Sequence, residues 1–177
     1  MILQADDAPA PTSEFRLAAV LVPLFVREET VHVVLTKRTD SVRTHQGQIS
    51  FPGGAWEPGD ASLRSTALRE SQEEVGLRPE DVEILGTLED TPTAVSGFIV
   101  RPFVAVVPHP YEFVQDVAEV AGLLSPPLEV FADPERRREE IRERNGVRYP
   151  LYFFDVEDET VWGATARMLV SLTERLV

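Results

Sequence analysis

Fifteen residues without glycine or proline, Ala61 to Val75, stand between a loop with glycines at 53, 54 and 59 and a further glycine at 76. Gly76 falls where a helix C′ residue belongs, so the stretch reads as loop, helix and stop. At ~100° per residue, Leu63, Ala67, Leu68, Ser71 and Val75 share one broad face, while Glu70, Glu73 and Glu74 crowd an adjoining arc with Glu74 beside the apolar stripe. Asp60, just ahead of the helix, reads as its N-cap. Carboxylates at i, i+3 and i+4 weaken a bare helix by roughly 0.2–0.5 kcal/mol per pair, so three of them pressed toward a core edge call for a compensating cation. Their charge and hard oxygen donors suit Mg²⁺ or Mn²⁺. A solvated Glu-rich face accounts for the same spacing when geometry alone is considered.

A helix with one apolar stripe needs a core to face, and 177 residues provide it. A chain of this size buries roughly 70 % of its unfolded surface as one domain. The expected organisation is an N-terminal arm over residues 1–14, Asp-, Ala- and Pro-rich, followed by a single domain over 15–177. With no cysteine, disulfides, thiolate metal sites and cysteine nucleophiles are excluded. The start lacks a basic n-region, and no run of 18 apolar residues occurs, so a soluble cytoplasmic protein is expected and a membrane partner is not. A net charge of −13 repels nucleic acid over most of the surface. A small phosphorylated molecule is still admissible if metal ions and a local basic patch override that field.

Such a patch follows the first two strands. Arg16 to Val26 is a continuous apolar run, and after a polar turn Val31 to Thr36 is another, together an expected hairpin of buried strands. His32 lies inside the second run and is assigned no role. Lys37, Arg38, Arg43 and His45 come next and lead through Gly47 and Phe51-Pro52 into Gly53-Gly54. Beyond the helix, 82–88, 98–107, 117–124 and 147–155 read as strands, and 89–97, rich in turn formers, reads as a connection or, alternatively, a substrate lip. Asp133 to Arg144 is charged nearly all round and reads as an exposed helix or mobile segment, and Asn145-Gly146 as a turn. The last stretch has helical spacing of Trp162, Leu169, Leu172 and Leu176 and reads as a helix packed on a sheet. This element order suggests an α/β fold, a mixed sheet between helices.

The order Arg69-Glu70-x-x-Glu73-Glu74-x-Gly76-Leu77, with Gly53-Gly54 and an acidic residue ahead of it, resembles the Nudix box of hydrolases that act on nucleoside-diphosphate derivatives. The chain departs from the generic box in two places. One extra residue separates Asp60 from Arg69, and Ser71 stands where an apolar residue is usual. Upstream, Leu35-Thr36-x-Arg38, Arg43, Gly47 and Phe51-Pro52-Gly53-Gly54 resemble the signature of the coenzyme A pyrophosphohydrolase branch, which is similar in its one-residue insertion; Thr39 replaces the usual Ser or Ala. Trp162-Gly-x-Thr165-Ala166 is similar to the C-terminal segment of that branch.

The resemblance implies an α/β/α Nudix sandwich with a mixed sheet, and Mg²⁺- or Mn²⁺-dependent cleavage of coenzyme A, or a derivative, into 4′-phosphopantetheine and adenosine 3′,5′-bisphosphate. It implies Glu70, Glu73, Glu74 and Arg69 as the catalytic group, with Arg69 aiming a glutamate of its own helix. Glu70, Glu73, Glu74 and Gly54 form the implied metal set, and Arg38, Arg43, Phe51 and Gly53 the substrate contacts. The general base is Glu70 or a later glutamate such as Glu112 or Glu119. Two other readings stand beside this one: hydrolysis of another diphosphate such as ADP-ribose or a nucleotide sugar, and a sensor of Nudix fold that binds without turnover. Nothing in the sequence sets the oligomeric state.

Overall fold

Arg16–Arg27 forms a strand, β1, with both faces buried: Leu17, Ala19, Leu21 and Phe25 enter one core, and Ala18, Val22 and Leu24 another. A strand apolar on both sides belongs between two layers, which is why this run does not alternate with polar residues. The computed structural model describes residues 16–39, 47–93, 97–144 and 146–176. The expected arm at 1–14, as well as Arg43 and His45, lies outside them.

In chain order, β1 is followed by β2 (Thr30–Val33), β3 (Leu35–Arg38), β4 (Ile49–Ser50), β5 (Gly53–Ala55) and helix α1 (Leu63–Val75). Then come β6 (Glu83–Thr87), β7 (Thr91–Pro92), β8 (Phe98–Val106), β9 (Val120–Leu124) and the short α2 (Glu129–Ala132). A hairpin of β10 (Arg138–Arg144) and β11 (Val147–Val156), β12 (Glu159–Trp162) and α3 (Gly163–Leu176) complete the described chain. The main sheet runs β2-β1-β8-β6, with β5 also on β1 and β7 on β8. It is mixed, because β1 is parallel to β8 and antiparallel to β2 and β5. Two smaller sheets, β10-β11-β12 and β4-β3-β9, curl beside it.

Helix α1 places Leu63, Ala67 and Val75 against the Leu17–Ala19–Leu21 face, and α3 places Ala166, Leu169 and Leu172 in the core of the Ala18–Val22 face. The result is the expected sandwich of helix, mixed sheet and helix.

Three expectations are corrected. Val31 to Thr36 is two strands rather than one. Pro23 accepts the N–H of Val34 but has none to return, so the β1–β2 ladder ends there and β3 crosses to a second sheet. Asp133 to Arg144 is a short 3₁₀ turn followed by a strand. Strand alternation puts Arg138, Glu140 and Arg142 on one side, where Glu140 takes hydrogen bonds from both arginines, and Arg138 stacks 4.3 Å over Phe153 of β11. Cross-strand packing there overrides helix propensity. Trp162 ends β12 rather than facing the core from α3. It is 40 % exposed and stacks on Phe153, while Ala166, Met168, Leu169 and Leu172 form the buried face of α3.

His32 is buried, with its Nδ1 2.8 Å from the Ser125 carbonyl and its ring stacked on Phe25. Among the described residues, no helix is long and apolar enough to cross a membrane.

Candidate active site

Helix α1 begins at Ser62, whose side chain accepts from the Ser65 N–H while the Ser65 hydroxyl accepts from the Ser62 N–H. This reciprocal cap displaces Asp60 from the expected N-cap role. Gly76 ends the helix in the left-handed region at φ 69°, with its N–H on the Gln72 carbonyl. Ser71, at the position where the generic box is apolar, is fully buried and satisfied by donating to the Ala67 carbonyl at 2.7 Å.

The three glutamates differ in burial as their angles around the helix require. The side chain of Glu74 is 5 % exposed, that of Glu70 18 % and that of Glu73 60 %. Glu74 accepts the Gly53 N–H at 3.1 Å on one oxygen and meets Arg38 Nη1 at 3.4 Å on the other. Burial nevertheless pushes its carboxyl up to about 7, opposed by the Gly53 N–H and Arg38 and assisted by the charges of Glu70 and Glu119. Burial also raises Glu70; Arg69 opposes the shift, and Glu73 and Glu119 add to it. The cluster sets the carboxyl groups of Asp60, Glu70, Glu73, Glu74 and Glu119 against the guanidinium groups of Arg38 and Arg69, an excess of acidic over basic groups. That excess, with its all-oxygen donors, fits a divalent cation. Among the described residues, no three such groups converge on one point; Glu70 and Glu73 are drawn to Arg69, and Glu74 to Arg38.

Arg69 ties the loop to the helix. Its Nε and Nη2 donate to the two oxygens of Asp60 at 2.9 and 3.0 Å, and its Nη1 donates to Glu70 at 2.8 Å and Glu73 at 3.1 Å. The paired guanidinium holds the Asp60 carboxyl down at about 2. Thr66 donates to the same carboxylate at 2.9 Å. Asp60 thus fixes the arginine that hydrogen-bonds Glu70 and Glu73, an arrangement not visible from its spacing as a cap.

Gly53 and Gly54 of β5 lie over the cluster. A Cβ on Gly54 would come within 2.4 Å of the Glu70 carboxyl carbon, and one on Gly53 within 2.4 Å of the Ala19 carbonyl. The first glycine pair of the motif is therefore a matter of clearance on both sides of the strand.

Arg38 reaches the cluster from β3. A register shift between Lys37 and Arg38 in the pairing with β9 marks a bulge, which bends the strand locally. Lys37 pairs with Glu159 of β12, while Arg38 turns to Glu74. Nη2 of Arg38 stands 3.7 Å from Glu119, and its buried Nε has no hydrogen-bond partner among the described residues. Of the two later glutamates, Glu119 is brought to the cluster; Glu112 is exposed and shares no hydrogen bond or ion pair with the cluster's described residues. Arg43 lies outside the described residues.

A cleft of about 540 Å³ opens beside this constellation. Arg38, Phe51, Gly53 and Gly54 line it, and so do Trp162, Gly163, Ala164 and Thr165 from the far end of the chain. Thr165 is anchored there by donating to the Ile49 carbonyl at 3.2 Å. Sequence reasoning missed Arg16, Phe98, Tyr149 and Arg167, which line the same cleft. No local pattern marks them, since each looks like an ordinary residue of a strand or helix end.

A family model described as the NUDIX domain matches residues 15–142. The chain belongs to the Nudix family. It is 38 % identical over 161 residues to the Nudix hydrolase NudL of Yersinia pestis (strain Pestoides F), described as uncharacterized, with 91 % of this chain and 80 % of that protein covered. Among solved structures, the Nudix domain of Shewanella oneidensis NrtR, crystallised with ADP-ribose, superposes at a TM-score of 0.58 with 18 % identity, over 94 % of this chain and 91 % of that one. A MutT/nudix family protein from Enterococcus faecalis gives 0.60 with 13 % identity, over 96 % and 65 %. These two likenesses show the Nudix fold. As a Nudix hydrolase the protein acts on nucleoside diphosphate derivatives, a chemistry for which the family generally uses divalent metals such as Mg²⁺ or Mn²⁺.

Proposed function

We propose that this Nudix hydrolase is a soluble cytoplasmic enzyme that cleaves the diphosphate of coenzyme A, or of a derivative, to 4′-phosphopantetheine and adenosine 3′,5′-bisphosphate. One observation carries the reading. From the two segments that resemble the coenzyme A branch, more than a hundred residues apart in sequence, Arg38, Phe51, Gly53 and Gly54 on one side and Trp162, Gly163, Ala164 and Thr165 on the other line one cleft beside Glu70 and Glu74. Apart from Gly53-Gly54, the generic Nudix box includes neither segment.

In this mechanism Glu70, Glu73 and Glu74, with Gly54, would hold Mg²⁺ or Mn²⁺. A bound divalent cation supplies charge neutralisation for the diphosphate and acidifies the attacking water. The protein's own groups do the rest. Arg69, itself fixed by Asp60, restrains Glu70 and Glu73, and the Gly53 N–H orients Glu74. Arg38 and Arg43 hold substrate phosphates, for which the planar guanidinium fork suits bidentate contact. Phe51 and Gly53 shape the cleft wall. The attacking water loses a proton to a carboxylate, for which the approach of Glu119 to Arg38 favours Glu119 over Glu112, with Glu70 the other candidate. Its oxygen forms a bond to one phosphorus, the bridging P–O bond breaks, and two phosphomonoesters leave.

Incubation with coenzyme A and millimolar Mg²⁺ or Mn²⁺, followed by chromatography, tests this directly. Adenosine 3′,5′-bisphosphate and phosphopantetheine are the expected products. AMP from intact coenzyme A would refute the bond assignment. Faster turnover of ADP-ribose or a nucleotide sugar in the same panel would reassign the substrate, and binding without product would make the protein a sensor.

A further inference from the structure

The cleft differs in charge from the chain that forms it. The protein has 30 acidic and 17 basic residues, yet the described lining holds Arg16, Arg38 and Arg167 and no aspartate or glutamate. Arg38 is engaged with Glu74 and Glu119 next to the reacting centre. Arg16 and Arg167 have no carboxylate partner among the described residues, whereas the nearby cations Arg101 and Arg175 are each paired with one, Asp90 and Glu89. Arg16 is also oriented: its guanidinium carbon sits 4.1 Å above the Phe98 ring, and a guanidinium stacked in this way binds an oxyanion through the N–H fork in its own plane.

The register along β1 sets the distance from the reacting centre. Gly54, against which Glu70 packs, pairs with Ala19, and Arg16 lies three residues further along the strand. At ~3.3 Å per residue this is roughly 10 Å of backbone. A diphosphate bound over Glu70 and Glu74 therefore leaves room for one sugar before the Arg16 end of the cleft, with Phe98 and Trp162 offering flat apolar surface to a base.

We infer that Arg16 and Arg167 form a second anion-binding pole that recognises a phosphomonoester carried on the ribose of the substrate's nucleoside half. This rests on the proposed diphosphatase reading of the same cleft and adds a requirement to it: selection for a nucleotide bearing a separate ribose phosphate. The pole contributes binding and specificity, and Arg16 and Arg167 are positioning residues with no part in the bond-breaking step.

The direct probe is the binding of adenosine 3′,5′-bisphosphate against AMP, measured by calorimetry on the full chain. The wild-type protein should bind the bisphosphate at least tenfold more tightly. In Arg16→Gln, Arg167→Gln and the double variant the ratio should fall toward one, with Arg→Lys at either position retaining part of it. Both side chains are exposed, so the variants should fold, and circular dichroism verifies that they do. Equal affinity of the wild type for the two nucleotides, no measurable binding of the bisphosphate at millimolar concentration, or an unchanged ratio in the double variant overturns the inference. The readout needs no turnover. A failure to hydrolyse coenzyme A with the nucleotide preference intact thus rejects the reaction and not the pole, and hydrolysis without the preference does the opposite.

Discussion

The two adjacent glycines of β5 should fail in opposite ways when given a methyl group. In Gly54→Ala, the new Cβ would stand 2.4 Å from the carboxyl carbon of Glu70 and 2.5 and 2.6 Å from its oxygens, where ordinary contact begins at 3.4 Å. The carboxylate must retreat by about 1 Å (3.4 less 2.4). It is the end of a flexible side chain, so the stability cost should stay within about 1 kcal/mol. A catalytic group misplaced by ~1 Å costs on the order of 10²-fold in rate, equivalent to ~2.7 kcal/mol of barrier. In Gly53→Ala the methyl group meets backbone, the Ala19 carbonyl at 2.4 Å and Val20 Cα at 2.6 Å, at a φ of +151°. Backbone cannot swing aside, and strain of this kind costs about 3 kcal/mol, or a fall in Tm of roughly 6–12 °C. Thermal denaturation and steady-state hydrolysis on both variants separate the effects. Wild-type kcat in Gly54→Ala would refute the claim that the position of Glu70 controls the chemistry, and an unshifted Tm in Gly53→Ala would refute the clearance argument for β5.

Two further predictions concern the glutamates. Glu70→Gln and Glu74→Gln should each lower kcat by on the order of 10³, whereas Glu73→Gln, at a side chain 60 % exposed, should cost less and be partly rescued by excess metal; equal losses in all three would remove the proposed ranking. The second is a stability effect in metal-free protein. The Glu74 carboxyl is raised from 4.5 to about 7 by burial, so the folded state binds the proton more tightly than the unfolded one. Its contribution is fully present below about pH 4.5 and is lost as pH rises through 7. With EDTA present, denaturant unfolding should show wild-type protein losing on the order of 2–3 kcal/mol relative to Glu74→Gln between pH 5 and 7.5; parallel pH dependences for the two proteins would show that this carboxylate is not held out of water.

Where information was local, the sequence sufficed. The stop of α1 at Gly76 follows from the backbone freedom of one residue, and the graded burial of Glu74, Glu70 and Glu73 follows from fixed angles about a helix axis. The two buried faces of β1 were legible as an uninterrupted apolar run. The sandwich and the coenzyme A-like segments came from resemblance to a known pattern, which periodicity alone does not supply.

The tertiary structure decided whatever depended on a partner far away in the chain. Asp60 has the chemistry of a cap, yet the Ser62–Ser65 pair satisfies the helix end and frees its carboxylate for Arg69. Arg138 to Arg144 has the composition of a helix, but β11 supplies a ladder and an aromatic face that a charged helix would lack. Arg38, Glu119 and the Trp162–Thr165 segment come together only because β3, β9 and α3 close around one cleft. Arg16 and Arg167 carry no motif, and only the fold brings them into one cleft whose described lining holds no acidic residue. Backbone preferences and helix angles act over a few residues and are written in order along the chain, whereas charge compensation and cleft formation act through space, and only folding sets those distances.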